Sequence, residues 1–431
     1  MTSLSYDIVI LGGGFAGATL ASRLEDQLPS DVRIALVSSD NYVTFSPLLP
    51  EVVGASILPG HVVAPLRQMI SRTELLMAEV TAIHLGRGQL DYRGEGPGAI
   101  RYQQLVLACG QSARLTMVPG MAEHALPLKT LGDALVLRNQ LIARLEHAQL
   151  EPDPERRRWL TTYAIVGVGF SGVEVAGEAL DFLQQAVRYY PAVDARDCRI
   201  VLVHSGDRLL PELSPDLGAF AYRKMAARGI DVRFETRATR IDAQGMELQD
   251  GERIEAGSVV TTVGNGSNPL VAQLALPMQR DQLITNPDMS VPDQPGLWAI
   301  GDCAAVPNAY DDRVSPPTAQ FATRQAHQLA DNLARSLEGR STAAFSYRPL
   351  GQLASIGHNK AVAEVFGIRL YGFVAWLLWR GVYLLKLPTL PRKMRVFLEW
   401  NWEMLFPPDT VSLRFSRTGR SHGEAPGGDR G

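Results

Sequence analysis

Cysteine is scarce in this chain: three residues in 431, Cys109, Cys198 and Cys303, remote from one another in sequence and forming no CxxC. That spacing excludes a disulfide framework and a zinc ribbon, and it fits a reducing cytoplasm. The eight histidines form no HxxH or HExxH, so no metal site is expected. Lysine is rare, five residues among 42 basic ones, a bias of composition that makes each lysine conspicuous. The formal net charge is only -3, which gives no reason to expect nucleic acid as a partner. The opening Met1–Tyr6 carries neither a basic start nor a long apolar stretch, so no secretory signal is expected. In the apolar C-terminal region the longest uncharged stretch, Leu370–Trp379, is ten residues, against about 20 needed to cross a bilayer.

What is present is a glycine-rich turn spelled twice, GGGFAG at Gly12–Gly17 and GVGFSG at Gly167–Gly172. Each follows an apolar β-branched run and precedes an alanine-rich helical pattern. In such a turn the first glycine permits the bend, the second lets the backbone approach a pyrophosphate, and the third lets helix pack on strand. The phosphates then lie at a helix N-terminus, where unpaired N–H groups and the macrodipole favour anions. Two copies in full strand–turn–helix context imply two nucleotides.

The duplication continues. The first cradle is followed by the strands Val32–Val37 and Leu105–Leu107, the latter ending in Ala108-Cys109-Gly110; the second by Arg199–Val203 and Ser258–Val263, ending at Gly264. Each closing strand runs into a glycine turn that can lie against a held nucleotide. A further apolar strand, Leu297–Ile300, ends in Gly301-Asp302, and an aspartate at a strand's C-terminal edge can accept hydrogen bonds from ribityl or ribose hydroxyls. The reading is an α/β protein of two Rossmann-like dinucleotide-binding domains, the second inserted in the first. The first occupies 1–118 and 285–345, the second 119–284. A membrane-associating region over 346–415 and a disordered tail over 416–431 follow.

These motifs, with Phe45-Ser-Pro-Leu-Leu-Pro50, Leu128-Lys-Thr-Leu-Gly-Asp-Ala134 and Pro316-Pro-Thr-Ala-Gln320, resemble the type II NADH:quinone oxidoreductases over about residues 5–412. The resemblance implies non-covalent FAD on Gly12, Gly13, Gly14, Phe15, Ala16 and Gly17, with Ser38, Val80, Ala108, Cys109, Gly110, Gly301 and Asp302 completing its site. It implies NADH or NADPH on Gly167, Gly169, Phe170, Ser171 and Gly172, with His204 and Gly264. Ala319 and Gln320 would lie at the flavin ring where quinone docks. Glu174 matches the family's carboxylate near flavin and nicotinamide; alternatively it is an acid in a helix first turn, favoured by the dipole. Lys129 and Lys360 match basic positions near the quinone, or are surface lysines. Sulfide and disulfide chemistry is disfavoured, and Cys109 and Cys303 read as small buried residues.

An acidic residue is expected at the tip of the second strand of each half, to hold a ribose 2′-hydroxyl. Here the tips are Ser38-Ser39, with Asp40 beyond, and His204-Ser205, with Arg208 nearby. A carboxylate would repel a 2′-phosphate; His204 would not, so discrimination between NADH and NADPH is expected to be weak.

Residues 365–398 hold six basic side chains, Arg369, Arg380, Lys386, Arg392, Lys393 and Arg395, and no acid; Trp376, Trp379, Trp400 and Trp402 lie in the same neighbourhood. Leu370, Phe373, Val374, Leu377 and Leu378 fit one helical face, and Met394, Phe397, Leu398, Trp402 and Leu405 a second. Basic residues flanking aromatic, apolar faces describe helices lying in a membrane interface, or else a dimer interface. The expectation is a peripheral flavoenzyme on the cytoplasmic face of the inner membrane, passing electrons to ubiquinone or menaquinone without pumping protons. Other readings are a soluble flavin reductase for a protein acceptor, and a redox-sensing nucleotide-binding interaction protein.

Overall fold

The computed structural model describes residues 4–413; the tail expected over 416–431 lies outside the described residues. Leu4–Leu11 forms the centre of a seven-stranded sheet, parallel to Ile34–Ser38 on one side and to Pro97–Leu107 on the other. Glu74–Met77 extends it in parallel, Leu297–Ala299 returns to pair with the end of Pro97–Leu107, and the hairpin strands Glu79–His84 and Gln89–Arg93 close the far edge. A second sheet is wholly parallel: Ala125–Pro127, Ser258–Thr261, Thr162–Val166, Arg199–Val203 and Asp231–Arg233. Strands covered on both faces bury every side chain, which is why Ile8–Leu11 and Tyr163–Ile165 read as continuous apolar runs rather than alternating ones; the second sheet packs on helices on one face and on the antiparallel strands Ala238–Asp242, Gly245–Leu248 and Arg253–Glu255 on the other.

Each sheet has its own core. In the first, Ile8, Ile10, Leu36 and Val106 meet Trp298, Leu329 and Leu333. The helix Ala319–Leu337 lies along Phe15–Gln27, tied by Arg23 to His327 at 3.1 Å and by Gln27 to Asp331 at 2.8 Å. Val271 and Leu283 belong to this core as well, and Gln282–Ile284 pairs with Ala304–Ala305. The core of the first unit therefore takes in residues ahead of 285, the boundary expected from the sequence. The two crossings between units run together as a short antiparallel pair, Ser112–Ala113 with Asn265–Gly266.

The C-terminal region is continuous with the second core. Leu353, Ala354, Trp376, Trp379 and Trp400 pack with Val173, Ala176 and Leu180 of the helix Phe170–Ala186, and with Leu49, Val52 and Val53 of the first unit. It begins as an antiparallel sheet, Gly351–Ser355, Ala361–Val365 and Ile368–Gly372, and the helix starts only at Phe373. Leu370 is thus on a strand and not on the helical face expected from its spacing. Phe366 and Gly367 both take positive φ, 51° and 80°, a two-residue hairpin turn that forces the following residues back along the sheet. The helices Phe373–Lys386 and Leu390–Glu403 bury Ala375, Trp376, Trp379, Val396 and Trp400 and leave Phe373, Val374, Leu377, Met394, Phe397, Leu398 and Trp402 exposed. Among the described residues no helix is long and apolar enough to cross a membrane.

Candidate functional site

The two cradles are built alike. Gly12 and Gly167 have φ of 110° and 109°, which side-chain-bearing residues rarely adopt. A Cβ on Gly17 would collide with the carbonyl oxygen of Gly12, and one on Gly172 with that of Gly167. A Cβ on Gly14 would meet nothing within 4 Å, and one on Gly169 would meet only Glu212 Oε1, at 3.3 Å. Gly14 and Gly169 cap their helices, and neither helix has a side-chain cap. Each helix start therefore combines unspent backbone N–H groups with an open approach, which fits the pyrophosphate of a dinucleotide.

Around the first cradle the structure gathers the expected neighbours. Ser38 is buried at the end of its strand, and a Cβ on Gly13 would come within 2.6 Å of its Oγ. Val80 is half-buried on the neighbouring hairpin strand. Ala108 donates to Leu11 O at 2.8 Å, Cys109 O accepts from Asn268 at 3.0 Å, and Gly110 turns with φ 65°. Gly301 donates its N–H to Gln325 Oε1 at 2.7 Å and faces Ala16 of the cradle helix. Burial raises the Asp302 carboxyl, and the Lys129 ammonium opposes this. Phe15 meets Phe45 edge-on at 5.8 Å, Phe45 meets Tyr383 at 6.0 Å and Tyr383 meets Trp379 at 4.8 Å. This aromatic line connects the first cradle to the C-terminal helices.

Around the second cradle, Phe170 is half-buried and Ser171 exposed at the helix start. Gly264 lies at the crossing between units, where its carbonyl accepts from Arg114 N. The His204 N–H bonds Arg233 O at 2.9 Å and its ring overlies Gly206. Burial lowers its pKa while Asp207 opposes this. One N–H of Arg208 donates to Pro211 O at 3.0 Å. Glu212, at Gly169, went unnoticed in the sequence because nothing in its spacing connects it to the cradle.

Glu174 lies in the second turn of its helix, whose first turn holds no acid, so it is not the dipole-facing acid of the plainer reading. It is 6% exposed, and Oε1 accepts the Ser355 N–H at 3.1 Å. Desolvation pushes it up to about 8, and the neighbouring Glu51 adds to that rise. Gln320 clasps the C-terminal sheet: Nε2 donates to Gly351 O at 3.4 Å and Oε1 accepts from Leu350 N at 3.3 Å. Ala319 beside it begins the helix capped by Thr318.

A family model described as pyridine nucleotide-disulphide oxidoreductase matches residues 6–326, and one described as NDH2 C-terminal domain matches 350–408. Demethylphylloquinone reductase NdbB of Synechocystis sp. is 33% identical over 93% of this chain and 96% of its own. Type II NADH:quinone oxidoreductase Ndh of Mycobacterium tuberculosis is 29% identical, covering 92% of this chain and 87% of its own. The structure of NDH2 from Plasmodium falciparum in complex with NADH shares the fold, with a TM-score of 0.87 at 19% identity over 94% of this chain and 99% of that one. The chain belongs to the type II NADH:quinone oxidoreductases.

Within this member of the family the two conspicuous lysines serve different places. Lys129 Nζ donates to Asn265 Oδ1 at 3.1 Å, beside Asp302. Lys360 bonds His358 O at 3.3 Å among Arg228, Lys224 and Asp181. Cys109 and Cys303, remote in sequence, are neighbours in space. Cys109 follows the end of Pro97–Leu107, Cys303 Sγ donates to Leu107 O at 3.4 Å, and the neighbouring thiols perturb each other, Cys109 being raised and Cys303 lowered. Both are free thiols. Among the described residues no group of three or more His, Cys, Asp or Glu side chains could hold a metal.

The sequence reading missed the acids behind Glu174. Glu51 and Glu178 are 4% and 8% exposed, and both carboxyls are raised by burial, Glu51 to about 8. Glu178 follows Glu174 by four residues and so shares its helix face, which was legible; Glu51 and Glu403 are brought in by folding alone.

Proposed function

We propose that this chain is an FAD-dependent NAD(P)H:quinone oxidoreductase attached to the membrane surface, with FAD in the first cradle and the pyridine nucleotide in the second. The observation that carries this reading is the pair of open, uncapped helix starts set on two separate sheets. When bound, FAD supplies the chemistry, taking a hydride from reduced nicotinamide and passing two electrons to quinone. The protein holds and orients. Gly12, Gly14 and Gly17 take the flavin pyrophosphate, Asp302 the ribityl hydroxyls, and Gly167, Gly169 and Gly172 the visiting nucleotide. Ala319 and Gln320, clasped to the C-terminal sheet, form one wall of the quinone site, with Glu174 beside it.

The C-terminal helices are read as the membrane face. Three of the six bases counted there are engaged internally: Arg369 pairs with Asp216, Arg380 with Glu403, and Arg392 donates to Gly60 O. Lys386, Lys393 and Arg395 have no ion-pair partner among the described residues, and each contributes about 1 kcal/mol near anionic lipid. Phe373, Val374, Leu377, Met394, Phe397, Leu398, Trp402 and Leu405 are between 47% and 77% exposed. Even half of the roughly 1.5–3 kcal/mol released on burying each of them exceeds the charge contribution. Apolar insertion dominates, and a charged nucleotide donor, which does not cross a bilayer unaided, favours the cytoplasmic face. Stopped-flow reoxidation of NAD(P)H-reduced protein by a soluble quinone analogue tests the reading. Protein that stays colourless with added FAD, or reduced protein that quinone leaves unoxidised, would refute it.

A further inference from the structure

The two cradles share one backbone geometry and differ in what stands in front of it. Gly12 and Gly167 take φ of 110° and 109°, and the helices after Gly14 and Gly169 both begin without a side-chain cap and without an acid in the first turn. A Cβ on Gly14 would meet nothing within 4 Å, whereas one on Gly169 would meet Glu212 Oε1 at 3.3 Å. The second glycine of such a turn is where the backbone and a pyrophosphate approach each other. A carboxylate therefore stands on the phosphate side of the second helix start, and nothing stands in the matching place of the first.

The backbone that carries Glu212 is fixed. Leu209, Leu210 and Leu213 are 4% exposed or less and pack in the core shared with the helix Phe170–Ala186. Leu210 donates its N–H to Val168 O, inside the cradle itself, at 3.0 Å, and Leu213 donates to Leu210 O at 2.9 Å. Leu210 holds a φ of 50°, which a branched side chain takes only where its surroundings impose it. The Ser214 N–H is tied in turn to Glu364 Oε2 of the C-terminal sheet at 3.1 Å. Between these anchors Glu212 is exposed, and among the described residues no base pairs with it; neighbouring Arg208 turns one N–H to Pro211 O. Backbone bonds and apolar contacts hold the loop, so its shape does not depend on the carboxylate.

We propose that Glu212 is an electrostatic gate on the second cradle: it stands in for a phosphate at the helix N-terminus, yields when the pyridine nucleotide binds, and so keeps that nucleotide loosely held. The unpaired N–H groups and the helix dipole that favour a phosphate favour a carboxylate for the same reason. Two anions a few ångströms apart repel, and only the second cradle is weakened by it. The difference matches what the two sites must do. A resident cofactor stays through many turnovers, so its cradle gains from the firmest hold. A visiting nucleotide must leave once per turnover. Binding its reduced and oxidised forms more tightly alike would slow release without speeding hydride transfer.

The inference rests on the reading that places the pyridine nucleotide in the second cradle, and binding measured without turnover keeps the two failures distinct. Calorimetric titration of FAD-loaded Glu212→Gln with NAD⁺ or with ADP-ribose should give a Kd about tenfold below that of the parent. The gap should narrow as salt is raised, because repulsion between exposed charges is screened. Glu212→Asp, which keeps the charge, should bind like the parent. All three proteins should agree in flavin content and in thermal midpoint. In turnover, the KM of Glu212→Gln for NADH should fall and NAD⁺ should inhibit it more strongly. An unchanged Kd, or a fall that salt leaves untouched, overturns the gate. A Kd that rises overturns it too, and makes Glu212 an acceptor for a ribose hydroxyl. Parent holoenzyme that binds neither NAD⁺ nor ADP-ribose overturns the nucleotide assignment instead.

Discussion

Trp400 donates its indole N–H to Glu51 Oε2 at 2.7 Å, fastening the last helix of the described chain to a buried carboxyl near its start. The bond crosses from the C-terminal region to the first unit and lies in one continuous core. Replacing Trp400 with Phe keeps most of the apolar contact and removes the donor. The cost of leaving a buried acceptor unpaired is about 1–3 kcal/mol. Trp400→Phe should therefore lower the midpoint of thermal unfolding while the protein retains its flavin, and an unchanged midpoint would show that the bond is not made.

The buried acids set a direction for pH. Glu51 and Glu174 are raised to about 8 from an ordinary value of 4.5, so the folded protein binds protons that the unfolded chain releases. Their stabilising contribution is complete below about 4.5 and is lost as pH rises through about 8. Glu51→Gln is neutral throughout. Its stability relative to the parent should rise between about pH 5 and pH 8, as followed by denaturant unfolding. A relative stability that stays flat over this window would mean that Glu51 is ionised in the fold.

Membrane attachment should resist salt. Three unpaired bases at about 1 kcal/mol each are screened by high ionic strength, but the exposed apolar faces are not. Washing vesicle-bound protein with salt should release little of it, whereas Phe397→Ser with Trp402→Ser, removing two of the largest exposed side chains, should release most. Release by salt alone would assign attachment to charge, and persistence of the double variant on vesicles would place the contact elsewhere.

Much of the fold was legible where one residue type answers one backbone demand. Gly12 and Gly167 could be read because their turn excludes a Cβ, and the parallel strands because burial on both faces leaves only apolar choices. Leu370 was misread because strand and helix both present an apolar residue there, and only the Phe366-Gly367 turn decides between them. The acid cluster could be read only at Glu178, four residues after Glu174. Glu51, Arg380 and Glu403 come from separate segments, and no local pattern marks a charge whose partner lies hundreds of residues away. The return of 285–345 to the first unit was expected, but no local pattern told which of its residues would lie beside Cys109, so the Cys109–Cys303 contact could not be read.

Nucleotide choice should turn on His204. At the strand tip it offers an aromatic ring where a carboxylate would exclude a 2′-phosphate, and the nearby Arg208 uses one N–H on Pro211 O. The parent should use NADH and NADPH with comparable kcat/KM. In His204→Glu, a carboxylate about 4 Å from a 2′-phosphate adds about 1–4 kcal/mol of repulsion, so kcat/KM for NADPH should fall about tenfold or more while that for NADH holds. Equal loss for both donors would show that His204 supports the loop without reading the ribose.

The two cradles can be told apart by the same small change made twice. A Cβ at Gly17 or Gly172 would run into the carbonyl oxygen of its own first glycine, and in each case helix and strand must separate at the site of the phosphate. Gly17→Ala should yield protein that loses its yellow colour and binds added FAD weakly, because the resident cofactor's site is the one disturbed. Gly172→Ala should remain yellow and show a raised KM for NADH, with reduction by dithionite and reoxidation by quinone intact. If Gly172→Ala were the colourless protein and Gly17→Ala the one with the KM defect, the assignment of cofactors to the two sheets would have to be exchanged.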